Sequence, residues 1–306
     1  MAGNPPEVIA AAVERVPVTA IVTAYERIDA ALVTIERLVN CRPAPDEILV
    51  HVDGNAVSCE QAIKRSYPSL TVVVSRASVG PGGGRNLLLA MARHPIVASF
   101  DDDAFPIDLD FFARLMTLFA SFPTASIVTA RVFHVDETLE PATPGARWVA
   151  DFSGGASAYR KQVFDGVGGY VPVPLAYGME EVDLALRLHA AGGQVLETSW
   201  LRVFHDTDRK RHGQPEVTAA TISNIAVLAS LRYPVLLWPA AAWQVLSRVR
   251  WLLTHGRYRG IVRGVSRIPV EVIRYRAFRR RLPLDVVRAY WRLRRHPVAA
   301  GWPAGI

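Results

Sequence analysis

Only two cysteines, Cys41 and Cys59, occur in 306 residues. So few thiols exclude a disulfide scaffold and point to a reducing compartment. No apolar run reaches the roughly twenty residues a membrane-spanning helix needs; the stretch Tyr233 to Leu246 stops short and contains Pro234 and Pro239. The opening residues lack a basic cluster ahead of an apolar core and contain acidic side chains instead, so a secretory leader is not expected. Internal repeats are absent, which excludes a solenoid. The one glycine-rich stretch lacks both the lysine of a phosphate loop and the spacing of a dinucleotide fingerprint. Together these absences predict a protein working in the cytosol.

What is present is a globular balance, 50% apolar and 21% charged, on a chain long enough to bury a sizeable core. Charge divides it in two. From Leu231 to Ile306 sixteen arginines face only Glu271 and Asp285, a balance of +14, whereas residues 1–230 carry −7. We therefore expect a main domain over 1–230 and a basic helical extension over 231–306. Such an extension predicts a polyanionic partner. Nucleic acid is excluded, because neither stacking aromatics nor a reading motif accompanies the charge. Val245, Leu246, Val249, Leu252 and Leu253 fall on one helical face, with Gln244, Ser247 and Arg248 on the other. With the arginines of 274–284 this fits a helix lying on an anionic membrane surface; packing against the main body is the alternative.

In the main domain, strand-like runs at 16–23, 47–53, 70–75 and 96–100 alternate with helical patterns at 30–41, 58–66 and 84–92. That alternation predicts an α/β fold with a mainly parallel sheet flanked by helices. Ligands of such sheets bind beyond the carboxyl ends of the strands. Four polar groups fall there: Thr23 with Tyr25, then Asp53, then the loop Ser78–Asn86, then the triplet Asp101, Asp102 and Asp103. The loop's glycines let backbone approach a ligand closely, and Gly84, Arg85 and Asn86 at a helix start suit a diphosphate. Three consecutive carboxylates exceed what helix capping uses and fit a hard divalent cation, Mg²⁺ or Mn²⁺, bridging to phosphate.

At this point the motifs resemble glycosyltransferase family 2, whose fold is GT-A. "FDDDAFP" looks like that family's D-x-D region, "VTAIVTAYERIDAALVTIERL" its first strand and helix, and "ILVHVDGNA" its base-contacting segment. "SGGASAYRKQVFDGVGGY" followed by "YGMEEVDLALRL" is similar to its acceptor side. The resemblance implies a metal-dependent, inverting transferase that takes a hexosyl or deoxyhexosyl group from a nucleotide-sugar donor. Its acceptor would be a hydroxyl of a glycan or lipid-linked molecule, reached peripherally on the cytoplasmic face of a membrane. It further implies that Thr23, Tyr25 and Asp53 line the base pocket and that Asp101 and Asp102 lie against ribose and diphosphate. Asp103 and His205 would bind the metal, and Gly154, Gly155 and Glu180 would border the acceptor. Where the family commonly has Glu-Asp, this chain has Glu180-Glu181, which makes Glu181 the expected general base, Glu180 its reserve, and Asp183 a helix-surface partner of Arg187. The altered pair also opens an alternative, a sugar-nucleotide-binding protein without turnover.

Overall fold

Two-residue alternation builds the centre of the molecule. In the computed structural model, which describes residues 14–175, 177–207 and 214–304, strand β1 (Arg15–Ala24) turns Val18, Ala20 and Val22 to one side and Ile21 to the other, all buried. A strand buried on both faces belongs in the middle of a sheet covered by helices. Its neighbours are β2 (Ala44–Val52) and β4 (Ile96–Asp101), and β3 (Thr71–Val74) lies beyond β2, all parallel. Parallel pairing requires crossovers, made by α1 (Ile28–Val39), α2 (Val57–Ser66) and α3 (Gly80–Met91). Helices α1, α2 and α4 (Phe111–Ser121) cover the Val18 side, and α3 and α6 (Glu180–Ala190) the Ile21 side. The first thirteen residues, on which the leader reading partly rests, lie outside the described residues.

Past β4 the sheet becomes mixed. Strand β8 (Ala156–Arg160) lies antiparallel between β4 and β6 (Ala125–His134), and β9 (Gln194–His205) runs parallel to β6. The short β5 (Ala104–Pro106) pairs with β9, setting Ala104 opposite His205. The outer edge is β7 (Ala146–Val149) and β10 (Val298–Ala300). This is the α/β architecture expected, with its parallel half carrying the predicted strand ends to one edge.

Two local expectations are corrected. The glycine stretch read as a loop is the first turn of α3, which begins at Gly80, not Gly84. Glycine costs a helix roughly 0.5–1 kcal/mol per residue, and steric need explains its use: a Cβ at Gly82 would lie 2.6 Å from Glu180 Oε2, and one at Gly84 2.4 Å from His51 Nδ1. Asp183 does pair with Arg187, at 2.7 Å, but it is buried and also accepts from Arg232 on α7 (Pro215–Arg232). That second partner lies at the start of the basic extension, whose other helices are α8 (Trp238–Thr254), α9 (Ile261–Arg274) and α10 (Leu284–Arg295). Helices α8 and α9 pack on α7, α10 packs on α6, and β10 joins the sheet. Among the described residues no helix is long and apolar enough to cross a membrane.

Candidate active site

The carboxyl ends of β1, β2 and β4 deliver Thr23, Asp53 and Asp101 to one rim. There a cavity of about 530 Å³ opens, bounded on its other side by the start of α6 and by Pro174, Leu175, Tyr177 and Gly178. All three members of the aspartate triplet border it, as do Arg85, Glu180, Glu181 and His205.

The triplet divides by partner. Asp101 is paired in register with Thr23, accepts from its hydroxyl at 3.3 Å, and is neutralised by Arg85. Asp102 turns inward, where Arg27 and the Tyr25 N–H donate to its carboxylate and the Thr34 hydroxyl to its carbonyl. Burial pushes the Asp102 carboxyl up to about 7, outweighing Arg27. Asp103 also meets Arg27, accepts from the Thr207 hydroxyl at 3.1 Å and lies 3.2 Å from His205 Nε2. Burial alone would raise Asp103, but His205 and Arg27 hold it below the ordinary carboxylate range. Burial likewise pulls His205 down, and the nearby Asp103 carboxylate more than offsets it, leaving the imidazole raised.

One ligand atom each from Asp101, Asp103 and His205 comes within 4.8 Å of the others. Asp103 Oδ1, the atom 3.2 Å from His205 Nε2, is buried and has no well-formed hydrogen bond. Two carboxylates, one with this buried oxygen, and an imidazole are a donor set that suits a divalent cation. The candidate metal cluster takes in the first and third aspartates, Asp103 and also Asp101, which the sequence reading put on the donor. Asp102 is instead held by Arg27 and the Tyr25 N–H.

Arg85 joins this cluster to the acidic pair. It is 1% exposed, and its guanidinium forks to Ser99 Oγ at 3.1 Å, Glu180 Oε1 at 3.0 Å and Asp101. Burial and the neighbouring Glu181 push Glu180 up to about 8. Burial also raises Glu181, with Arg85 opposing. The glycines predicted on the acceptor side do not border the cavity; they sit beneath these groups. A Cβ at Gly154 would lie 3.0 Å from Glu181 Oε1, and one at Gly155 2.3 Å from Asp101 Oδ2.

The remaining donor candidates separate as well. Tyr25 is half exposed at the mouth, with its ring against Gly54. Asp53 borders the cavity, but its oxygens accept from Ser78 Oγ, Val79 N–H and Gly80 N–H at 2.7, 2.9 and 3.1 Å. It thereby occupies the α3 start that had been read as a diphosphate site. Gly84 and Asn86 do not border the cavity: Gly84 faces His51, and the Asn86 side chain bonds the backbone of Tyr170 at 2.8 and 2.9 Å. Arg27, His51 and Thr207 border the cavity without having been singled out in the sequence. No local pattern marks Arg27, whose carboxylate partners lie 75 and 76 residues away.

A helix-flanked sheet of this order, with acidic and basic groups converging at the strand ends, is the GT-A architecture. The family profile described as Glycosyl transferase family 2 matches residues 19–172. The chain belongs to that family. No curated protein shows significant sequence similarity to it. Among solved structures it is similar to GalNAc-T7 with UDP, GalNAc and Mn²⁺, at 14% identity and a TM-score of 0.56. That match covers 71% of this chain and 48% of the other, so the chain spans about half the length of GalNAc-T7. It is also similar to the mannosyltransferase PcManGT from Pyrobaculum calidifontis in complex with GDP-Man and Mn²⁺. There identity is 14% and the TM-score 0.56, covering 90% and 79% of the two chains.

Proposed function

We propose that this glycosyltransferase moves a hexosyl or deoxyhexosyl group from a nucleoside diphosphate sugar to a hydroxyl of a glycan or lipid-linked acceptor, inverting the anomeric centre. The observation that carries this reading is one cavity holding the Asp101, Asp103 and His205 cluster together with the Glu180 and Glu181 pair. Glu181 accepts the proton of the acceptor hydroxyl as that oxygen attacks the anomeric carbon. Arg85 orients Glu180 and compensates Asp101; Arg27 holds Asp102 and Asp103. Tyr25 offers a ring at the mouth on which a base can stack. Bound by Asp101, Asp103 and His205, Mn²⁺ or Mg²⁺ supplies positive charge for the departing diphosphate.

Two results are expected. A ligand selective for the native state raises apparent stability by mass action, so UDP- or GDP-sugars raise Tm when Mn²⁺ is present and lose that shift with chelator. In Asp103→Asn the shift is absent at the same Mn²⁺ concentration; an undiminished shift there refutes the metal assignment. The pH profile follows from the acidic pair. A base must be ionised to work, and burial raises the Glu181 carboxyl, so kcat/KM falls with acid at a pH above that of an ordinary glutamate. Stability moves oppositely: the native state holds protons that the unfolded chain releases near 4.5, so this contribution is full below that pH and lost as pH rises toward 8. A rate already flat from pH 5 upward would contradict the assignment of the base.

A further inference from the structure

Amphipathic helices of globular proteins turn their apolar side inward. Helix α9 divides its apolar surface: Ile268 and Val272 are half-buried, Val272 against the core, while four further aliphatic side chains are left in solvent. It seats on α7 through Gly264, where a Cβ would lie 2.8 Å from the Ala219 carbonyl oxygen. Val262, Val265, Val270 and Ile273 project from the other side, and Val262 is 81% exposed. Helix α8 divides its apolar stripe: Leu252 is buried, while Trp243, Leu246 and Leu253 lie bare. That division answers the question left open by the sequence, since one edge of the stripe packs on the body and the other does not.

Charge accompanies this surface. Arg248 and Arg257 lie over the Trp251 ring at 5.0 and 5.5 Å, and Arg281 over Trp238 at 5.5 Å. Arg250, Arg259 and the triplet Arg279 to Arg281 are exposed. Tryptophan rings beside guanidinium groups and bare aliphatic side chains make up the chemistry of the bilayer interface, where rings sit at head-group depth and arginines meet lipid phosphate. A second copy of the chain is a poor occupant, because it would set these arginines against arginines.

We propose that the outer faces of α8 and α9 form a docking surface for an anionic lipid bilayer. The contact is peripheral, with aliphatic side chains entering the head-group region and arginines holding anionic lipid. Helix α7 links this surface to the cavity: the Asn224 amide donates to the carbonyls of Leu175 and Tyr177, both on the cavity wall, at 2.8 and 3.2 Å. Helix α7 thus touches both the docking helices and the cavity wall. The docking surface stands independently of the transfer chemistry.

The test is flotation of the full chain with vesicles of phosphatidylcholine alone or with added phosphatidylglycerol, at low and high salt. Binding is expected only to the anionic vesicles and is expected to weaken with salt. Exposed Val262 and Ile273 can be replaced without touching the core, so the Val262→Glu, Ile273→Glu double variant keeps its melting temperature while partitioning falls about tenfold or more. Arg280→Gln with Arg281→Gln lowers binding to anionic vesicles by about tenfold or more. No partition at low salt, or partition unchanged in the aliphatic double variant, overturns the proposal. So does a concentration-dependent dimer that the same double variant abolishes in the absence of vesicle binding, since a second copy then occupies the surface.

Discussion

Glu181→Gln lowers kcat by about 10²–10⁴-fold, the usual contribution of a positioned general base, while donor affinity measured by calorimetry stays within a few-fold of the parent. The substitution preserves shape and removes only the ability to accept a proton. Glu181 stands on the first turn of α6 with its Oε1 packed over Gly154, so the amide fits the same space. Glu180 cannot readily take over. Its Oε1 is committed to Arg85, and burial favours its protonated form. A Glu181→Gln enzyme of undiminished kcat would move the base elsewhere; a parent protein that binds donor tightly yet neither transfers nor hydrolyses it would establish the binding-only alternative.

Arg85→Met should cost about 3–5 kcal/mol of folding stability, the range for removing one partner from a buried ion pair. Arg85 is almost wholly buried and compensates two carboxylates, Asp101 and Glu180, contributed by β4 and α6. Without it Asp101 loses its buried counter-charge and Glu180 its hydrogen-bond donor, between the same elements. Urea unfolding would report the loss as a lower midpoint with little change in slope. Lowering the pH lets the stranded carboxylates take up protons, so the deficit narrows in acid. Mn²⁺ added to Arg85→Met should recover part of the loss through Asp101. A stability change below about 1 kcal/mol, the level of an exposed pair, would show that Arg85 does not bind the two halves of the site together.

Much of the fold was legible because parallel strands buried on both faces must be written as continuous apolar runs, and crossover helices as periodic ones. The runs at 16–23, 47–53, 70–75 and 96–100 became β1 to β4 within a residue or so at most ends. The largest difference is at β2, which begins at Ala44. The glycine stretch was misread because composition describes a segment's own flexibility and not what presses on it. These helical positions, Gly82 and Gly84, are glycine because Glu180 and His51, distant in sequence, leave no room for a Cβ. Arg27 and Arg232 were passed over for a related reason, as each is one basic residue among many until its carboxylate partners are in place.

By itself the amino-acid order determined the strand ends, the acidic triplet and the contrast between an acidic body and a basic extension, because each is written in neighbouring residues or in summed charge. Tertiary structure alone decided which aspartates group with His205, that Arg85 ties Asp101 to Glu180, and that α9 leaves four aliphatic side chains in solvent. Those outcomes depend on distances between residues far apart in the chain, and the electrostatic and steric energies that settle them act through space.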